Sequence, residues 1–220
     1  MEEHVNHRLK LLGWMALLFS VLLLAGCESY SSGAYGPGAG HFTTVVVDAG
    51  HGAHDTGARA VSGMPEKLLT LDTARRLAIV LRKAGFHVIE TRTTDYFVPL
   101  GTRTEISNKA GSAIFVSIHY NWDRKRSPNG MEIYYYSPRS KRLAANILDQ
   151  TKRAYKTSNR GIKQRGFYVL RNNRKPAVLC ELGFVSSPSD NSYVQSAAYR
   201  QKLAEKIAAG IIAEKQGRSP

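Results

Sequence analysis

Short apolar runs alternate with helix-like patterns along the chain from about residue 43 onward. Residues 44–47 (Thr-Val-Val-Val) predict a buried strand, because β-branched side chains suit an extended backbone. Between residues 66 and 84, leucines and alanines recur every three or four positions and predict a helix that ends at Gly85. Further strands are predicted at 86–91, 113–118, 131–136, 166–170 and 177–181, and further helices at 103–110, 142–154 and 199–213. This alternation predicts one layered α/β domain with a largely parallel central sheet flanked by helices.

The N-terminal region differs from the predicted domain. A basic start leads into the apolar run 11–26, which is shorter than the roughly 20 residues of a spanning helix and is typical of an export signal. The run ends in Leu-Ala-Gly-Cys, which resembles a bacterial lipobox and implies that Cys27 becomes the lipid-modified first residue of the mature protein. The alternative is a short uncleaved signal anchor with an incidental cysteine. Either reading predicts an exported protein attached to a membrane.

These patterns divide the chain into four predicted regions. Residues 1–26 form a signal peptide, and residues 27–42 form the lipidated cysteine and a flexible tether rich in Gly, Ser and Tyr. The folded domain spans residues 43–216, and residues 217–220 are a tail. With Cys27 lipidated, Cys180 has no partner within the chain, and its apolar surroundings predict a core position.

Charge narrows the choice of partner. The net charge of +14 favours an anionic partner, and the predicted mature chain keeps it because residues 1–26 carry two basic and two acidic side chains. An exported domain rarely meets nucleic acid, and no nucleic-acid-binding motif is recognised, so we expect no nucleic-acid partner. Acidic lipid head groups or an acidic wall polymer are the expected partners, and a solvated basic surface without a specific partner is the alternative.

Candidate catalytic groups lie where predicted strands end. His51 and His119 follow two strands, and Glu181 ends a third. Open α/β sheets build their sites at the carboxyl ends of strands, so these groups are candidates for a shared metal or acid–base site. Glu66, in the first turn of a helix, is explained equally well by the favourable effect of a carboxylate at the helix N-terminus. The chain has no HExxH or paired CxxC motif, so spacing alone does not establish a zinc site.

Four short segments then follow one another along the domain. They are Val-Asp-Ala-Gly-His-Gly at 47–52, Glu-Lys at 66–67, Ser-Ile-His-Tyr-Asn at 117–121 and Glu-Leu-Gly-Phe-Val-Ser at 181–186. In order and separation they resemble the motifs of the zinc-dependent N-acetylmuramoyl-L-alanine amidase family, and the similarity extends to the last helix.

The resemblance implies that His51, Glu66 and His119 bind Zn²⁺ and that Glu181 is the catalytic carboxylate. It further implies a peptidoglycan substrate, cleaved between N-acetylmuramic acid and L-alanine. Two imidazoles and a carboxylate leave an open position on a tetrahedral zinc, and a second carboxylate can then transfer the proton. Asp48 and Asp55 are candidates to orient the ligands, with turn formation as the alternative.

The chain departs from the family pattern at several positions. His54 is expected to be a loop residue, with a substrate contact or an alternative ligand as the other possibilities. Tyr120 replaces a usually small residue and is expected to shape substrate access, and Ser187 stands where Asn is common. Only residues 122–130 separate the third motif from the next strand, which is too short for the helix that blocks the site in some relatives. We therefore predict an open site for which a protein activator is permitted but not required.

Two other functions remain open from the sequence. In the first, the protein binds peptidoglycan without cleaving it and is a lipoprotein that tethers the membrane to the wall. Such a binding protein has no need for Glu181, which argues against this function. Alternatively, the same chemistry would act on another amide, such as a peptide cross-link, because the motifs specify the reaction centre and not the pocket.

Overall fold

The computed structural model describes residues 38–154 and 157–220. The predicted signal peptide, Cys27 and most of the predicted tether lie outside the described residues. Within the described part of the chain, no helix is long and apolar enough to cross a membrane.

Six strands form one central sheet, in the order β2-β1-β3-β6-β4-β5. All neighbouring strands are parallel except β4 and β6, which are antiparallel. The predicted α/β fold with a largely parallel sheet is confirmed. The strands are β1 (Thr44–Ala49), β2 (His87–Glu90), β3 (Ala113–Asn121), β4 (Met131–Tyr135), β5 (Asn159–Gln164) and β6 (Ala177–Phe184).

Helices cover both faces of this sheet, with three long helices on one face and shorter ones on the other. A single 3₁₀ turn at Pro138–Ser140 precedes the third helix. In chain order the helices are α1 (Glu66–Lys83), α2 (Leu100–Lys109), α3 (Lys141–Thr151), α4 (Tyr168–Arg171), α5 (Pro188–Val194) and α6 (Ala197–Lys215).

Alternation along the strands assigns side chains to two cores. Val45 and Val47 of β1 belong to the larger core with α1, α3 and α6, and Val46 belongs to the smaller core with α2 and α4. Cys180 is fully buried in the larger core, as predicted. His119 and Glu181 alternate with residues of the larger core, so both side chains lie on the smaller-core face, near the carboxyl ends of β3 and β6.

One predicted strand is wrong, and one observed strand was not predicted. Residues 166–170 instead lead into the single helical turn α4, and in this segment Phe167 and Tyr168 are exposed whereas Val169 and Leu170 are buried. Two exposed residues followed by two buried ones do not fit the alternation of a strand. Strand β5 escaped prediction because its sequence, Asn-Arg-Gly-Ile-Lys-Gln, contains a single large apolar residue.

Candidate active site

Three side chains that are distant in sequence meet in one cluster. His51 follows β1, Glu66 is the first residue of α1, and His119 lies near the end of β3. One ligand atom of each lies within 4.8 Å of the others. Glu66 Oε1 is 3.1 Å from His51 Nε2 and 3.2 Å from His119 Nδ1. The structure therefore brings together the three predicted metal ligands.

Close backbone approaches around this cluster require glycine at two positions. A Cβ at Gly50 would lie 2.3 Å from the His119 ring, and a Cβ at Gly57 would lie 2.6 Å from both Glu66 Oε2 and the His51 ring. Gly57 also has a positive φ of 62°, which L side chains rarely adopt. His51 itself has a φ of 63°, so surrounding contacts must hold the loop in this conformation.

Two buried arginines supply such contacts. Arg103 donates through Nη1 to the Ala49 carbonyl at 2.6 Å and through Nη2 to the His51 carbonyl at 2.7 Å. Arg92 donates through Nη2 to the Gly50 carbonyl at 2.8 Å. The backbone of the first histidine is thus fixed from two directions. The sequence alone does not predict this role of Arg92 and Arg103, because the carbonyl groups that they contact come together only in the folded structure.

The two aspartates predicted to orient ligands have different partners. Asp55 Oδ1 is 2.9 Å from His51 Nδ1, which leaves Nε2 directed toward Glu66. The buried Asp48 instead accepts hydrogen bonds from Arg103, Thr91 and Ser117. Asp55 therefore orients the His51 ring directly, whereas Asp48 contacts Arg103 and the neighbouring strands.

Hydrogen bonds also fix both oxygens of Glu66. The Tyr120 N–H donates to Oε1 at 3.0 Å, and the Ala58 N–H donates to Oε2 at 2.9 Å. Burial acts to raise the pKa of Glu66, but hydrogen bonds and charges of His119 and His51 outweigh it and hold the pKa far below its ordinary range. The carboxylate is thus ionised and held in place between the two histidines.

Glu181 presents the opposite environment. It lies on β6 directly beside His119 of β3, and its Oε2 is buried without a hydrogen-bond partner in the described structure. Burial, and then the negative charges of Glu66 and Glu132, raise the pKa of Glu181 well above its ordinary value. An unpartnered buried oxygen beside two imidazoles and a carboxylate fits a site for a divalent cation with nitrogen and oxygen ligands, such as zinc.

A pocket of about 400 Å³ opens onto these residues. His51, His119 and Glu181 belong to its polar lining, and six apolar or aromatic side chains, here called the apolar wall, line another part. The apolar wall consists of Phe97, Val98, Leu100, Phe167, Tyr168 and Val169.

His54 and Tyr120, two of the residues that depart from the family pattern, lie in different surroundings. His54 is an exposed turn residue with its ring centroid 4.3 Å from that of Phe97, which fits the predicted loop role. Tyr120 does not line the pocket. Its ring is buried in the larger core, where its hydroxyl is 2.7 Å from Thr73 Oγ1, so the expected effect on substrate access is wrong. The alternation of β3 turns Tyr120 away from His119.

Comparison with known proteins now decides the family. A sequence profile described as N-acetylmuramoyl-L-alanine amidase matches residues 45–213. This range includes all six strands of the sheet, apart from Thr44, the first residue of β1. The chain belongs to this amidase family. It is therefore a cell wall amidase, whose family is named for the bond between N-acetylmuramic acid and L-alanine in peptidoglycan.

Curated relatives of this amidase include enzymes of two bacterial species. N-acetylmuramoyl-L-alanine amidase LytC of Bacillus subtilis is 36% identical over 173 residues, which cover 77% of this chain and 35% of LytC. The chain thus spans about a third of that relative's length. LytH of Staphylococcus epidermidis, described as a probable cell wall amidase, is 35% identical over 211 residues, which cover 95% of this chain and 69% of LytH.

Two solved amidase structures share the fold of this amidase over nearly their whole length. AmiC2 of Nostoc punctiforme has a TM-score of 0.77 and 36% identity, and the match covers 82% of this chain and 99% of AmiC2. CwlD of Clostridioides difficile, solved in complex with the GerS lipoprotein, has a TM-score of 0.76 and 30% identity, with coverage of 80% and 99%.

Proposed function

We propose that the protein is a zinc-dependent hydrolase that cleaves the amide bond between N-acetylmuramic acid and L-alanine and releases peptide stems from peptidoglycan. His51, Glu66 and His119 would hold the zinc ion. One observation carries this proposal: three donor atoms converge within 4.8 Å beside the unpartnered carboxylate oxygen of Glu181.

When bound, zinc supplies a Lewis acid that polarises the amide carbonyl and lowers the pKa of water. Glu181 then accepts a proton from the attacking water as the oxygen bonds to the carbonyl carbon. The same carboxyl group returns the proton to the amide nitrogen as the carbon–nitrogen bond breaks, because an amide nitrogen leaves poorly until it is protonated. The products are a carboxylate on the lactyl group and the free amine of L-alanine.

The surrounding residues prepare this reaction before substrate arrives. Asp55 orients the His51 ring, while two backbone N–H groups fix Glu66. Fixed ligands reduce the reorganisation that binding and reaction require. The apolar wall limits the access of water to the reacting amide.

The export and anchoring of the enzyme are a further part of the proposal. Residues 1–26 would be removed as a signal peptide, and Cys27 would carry lipid that attaches the protein to the cell envelope. The tether would let the catalytic domain, residues 43–216, reach the wall from its membrane, facing the periplasm or wall, and residues 217–220 would be a tail. Cys27→Ala should abolish labelling by a radioactive fatty acid and release the protein from membranes; unchanged labelling and membrane association would contradict the anchor.

The enzyme would act in cell wall remodelling or daughter-cell separation and would need no protein activator. Residues 122–130 between β3 and β4 contain no helix, which fits a site without an inserted blocking element. A purified protein that stayed inert on peptidoglycan until another protein was added would contradict this part of the proposal.

Digestion of purified peptidoglycan, followed by mass analysis of the fragments, tests the reaction. Free intact stem peptides are expected. Disaccharides still joined to their stems would contradict cleavage at this bond. Binding without any release would support the tether function, whereas cleavage within the cross-link would support the same chemistry on a different amide.

A further inference from the structure

The edge strand β5 brings cationic side chains to the active-site side of the sheet. Arg160 Nε is 3.2 Å from Glu132 Oε2, and Lys163 Nζ bonds the same oxygen. The Arg160 and Lys163 side chains remain 35% and 31% exposed, so both keep surface for a ligand. Arg165 directly follows β5 and is exposed. We call Arg160, Lys163 and Arg165 the β5 cations.

Glu132 links the β5 cations to the strand that carries Glu181. Strands β4 and β6 pair antiparallel, with Glu132 directly opposite Glu181. Opposed residues share one face of a sheet, with Cβ atoms about 4.5–5.5 Å apart. Arg160 and Lys163 reach Glu132 from the next strand. Arg160 and Lys163 therefore lie two strands away from Glu181, the proposed proton-transfer residue, and are connected to it through Glu132.

The β5 cations carry more positive charge than their surroundings neutralise. The buried Glu132 supplies one negative charge to Arg160 and Lys163. Arg165 donates to the Gln164 carbonyl at 2.9 Å, and no carboxylate of the described residues forms an ion pair with it. This excess attracts an anionic group to the β5 side of the site.

The opposite side of the pocket has a different character. Phe97, Val98 and Leu100 of the apolar wall lie there, and Lys67, which follows Glu66 in the chain, is neutralised by Asp95 at 2.5 Å. The positive charge without a carboxylate partner therefore lies on the β5 side, beyond Phe167 and Tyr168 of the apolar wall. A substrate with one uncharged and one anionic arm would bind in a single orientation.

We propose that the β5 cations bind the free carboxylate of the second peptide-stem residue beyond the cleaved amide, so that the enzyme selects stems by charge. The inference rests on the proposed amidase function. Neighbouring strands are about 4.8 Å apart, which places β5 roughly 10 Å from β6, and an extended peptide advances about 3.4 Å per residue. The anionic peptide would lie toward β5, and the uncharged part of the glycan would lie toward Phe97, Val98 and Leu100.

Two matched substrates test this proposal with the native enzyme. One is N-acetylmuramoyl-L-alanyl-γ-D-glutamyl-L-lysine, and the other is the same molecule with the α-carboxylate of its second residue converted to a carboxamide. The acid should be cleaved with about tenfold higher kcat/KM, as expected for one charge-assisted contact. The difference should appear in KM, because the β5 cations do not touch the reacting atoms. Equal kcat/KM values for the two substrates would overturn the proposal.

Variants that remove one charge show which residues are responsible for the preference for the acid substrate. Arg165→Gln should reduce the tenfold preference to about threefold or less, whereas Arg75→Gln, which removes an exposed arginine from α1, should leave it unchanged. Arg160→Gln removes a second β5 cation while Lys163 keeps Glu132 paired, so this variant should also reduce the preference. An undiminished preference in both β5 variants, or an equal loss in Arg75→Gln, would overturn the assignment.

The design separates this proposal from the function on which it rests. If the amidase function is wrong, the native enzyme releases no peptide from either substrate. If only the β5 assignment is wrong, both substrates are cleaved and their ratio does not respond to the β5 variants.

Discussion

Glu66 is a buried carboxylate and Glu181 a partly buried one of the same site, and their hydrogen bonding and pKa differ. Glu66 has hydrogen bonds to both oxygens and two histidines beside it, and its pKa is far below the ordinary range. Glu181 has an oxygen without a partner, and burial raises its pKa. This difference fits the two proposed roles: a carboxylate that must stay ionised to hold a metal is enclosed by donors, and one that must exchange a proton is left free.

Replacing the enclosed carboxylate should have the largest effect. Glu66→Gln removes the negative charge from the ligand set, so we expect zinc content well below one per chain and peptide release at background level. Metal analysis of the purified variant and the peptidoglycan digestion assay measure both. A variant that kept one zinc ion and native activity would remove the basis for assigning Glu66 as a ligand.

Replacing the free carboxylate should separate chemistry from metal binding. Glu181→Gln should lower kcat by about 10²- to 10⁴-fold, the usual contribution of a general acid–base group. Its zinc content should stay near one, because Glu181 is not among the proposed ligands. Loss of zinc in this variant would show that the two carboxylates do not have separate roles.

A smaller effect is expected when the orientation of a ligand is disturbed. Asp55→Ala removes the partner of His51 Nδ1 and should weaken zinc affinity by about 10- to 100-fold. Asp149→Ala serves as the control, because Asp149 pairs with Lys152 and Arg153 on the surface of α3. Competition with a chelator of known affinity measures both variants. If Asp55→Ala bound zinc as tightly as Asp149→Ala, the contact between Asp55 and His51 would not contribute to zinc affinity.

The weakest predicted effect concerns the stability of the metal-free protein. The depressed pKa of Glu66 stabilises the fold above its ordinary pKa of 4.5, and this contribution is lost as pH falls. The raised pKa of His51 stabilises the fold below its ordinary pKa of 6.5, and this contribution is lost as pH rises through the raised value. The free energy of unfolding of the native chain, relative to Glu66→Gln, should therefore be greatest between about pH 4.5 and 6.5. Urea unfolding across this range measures the difference, and a flat difference would contradict the pairing.

The fold was predictable where burial leaves a pattern in the sequence. Strands β1, β3 and β6 and helices α1 and α6 carry enough apolar residues to be located. Strand β5 was missed because an exposed edge strand needs few apolar residues. Its cations, and with them the charge asymmetry of the site, were missed for the same reason.

The site was only partly predictable from residue types. His51, His119 and Glu181 were found because they end or follow apolar runs that predict strands, and sites of open α/β sheets lie at the carboxyl ends of strands. Glu66 needed the family resemblance, because an acidic residue at a helix start has an ordinary explanation. The roles of Arg92 and Arg103 depend on carbonyl groups that come together only in three dimensions.

Titration of the metal-free enzyme with zinc, while peptide release from peptidoglycan is followed, tests the central claim most directly. Activity should rise in proportion to added zinc and stop rising at one equivalent per chain. The metal-free enzyme should be inactive, and Glu181→Gln should bind the same single equivalent with little gain in activity. Full peptide release by the metal-free enzyme would contradict the account.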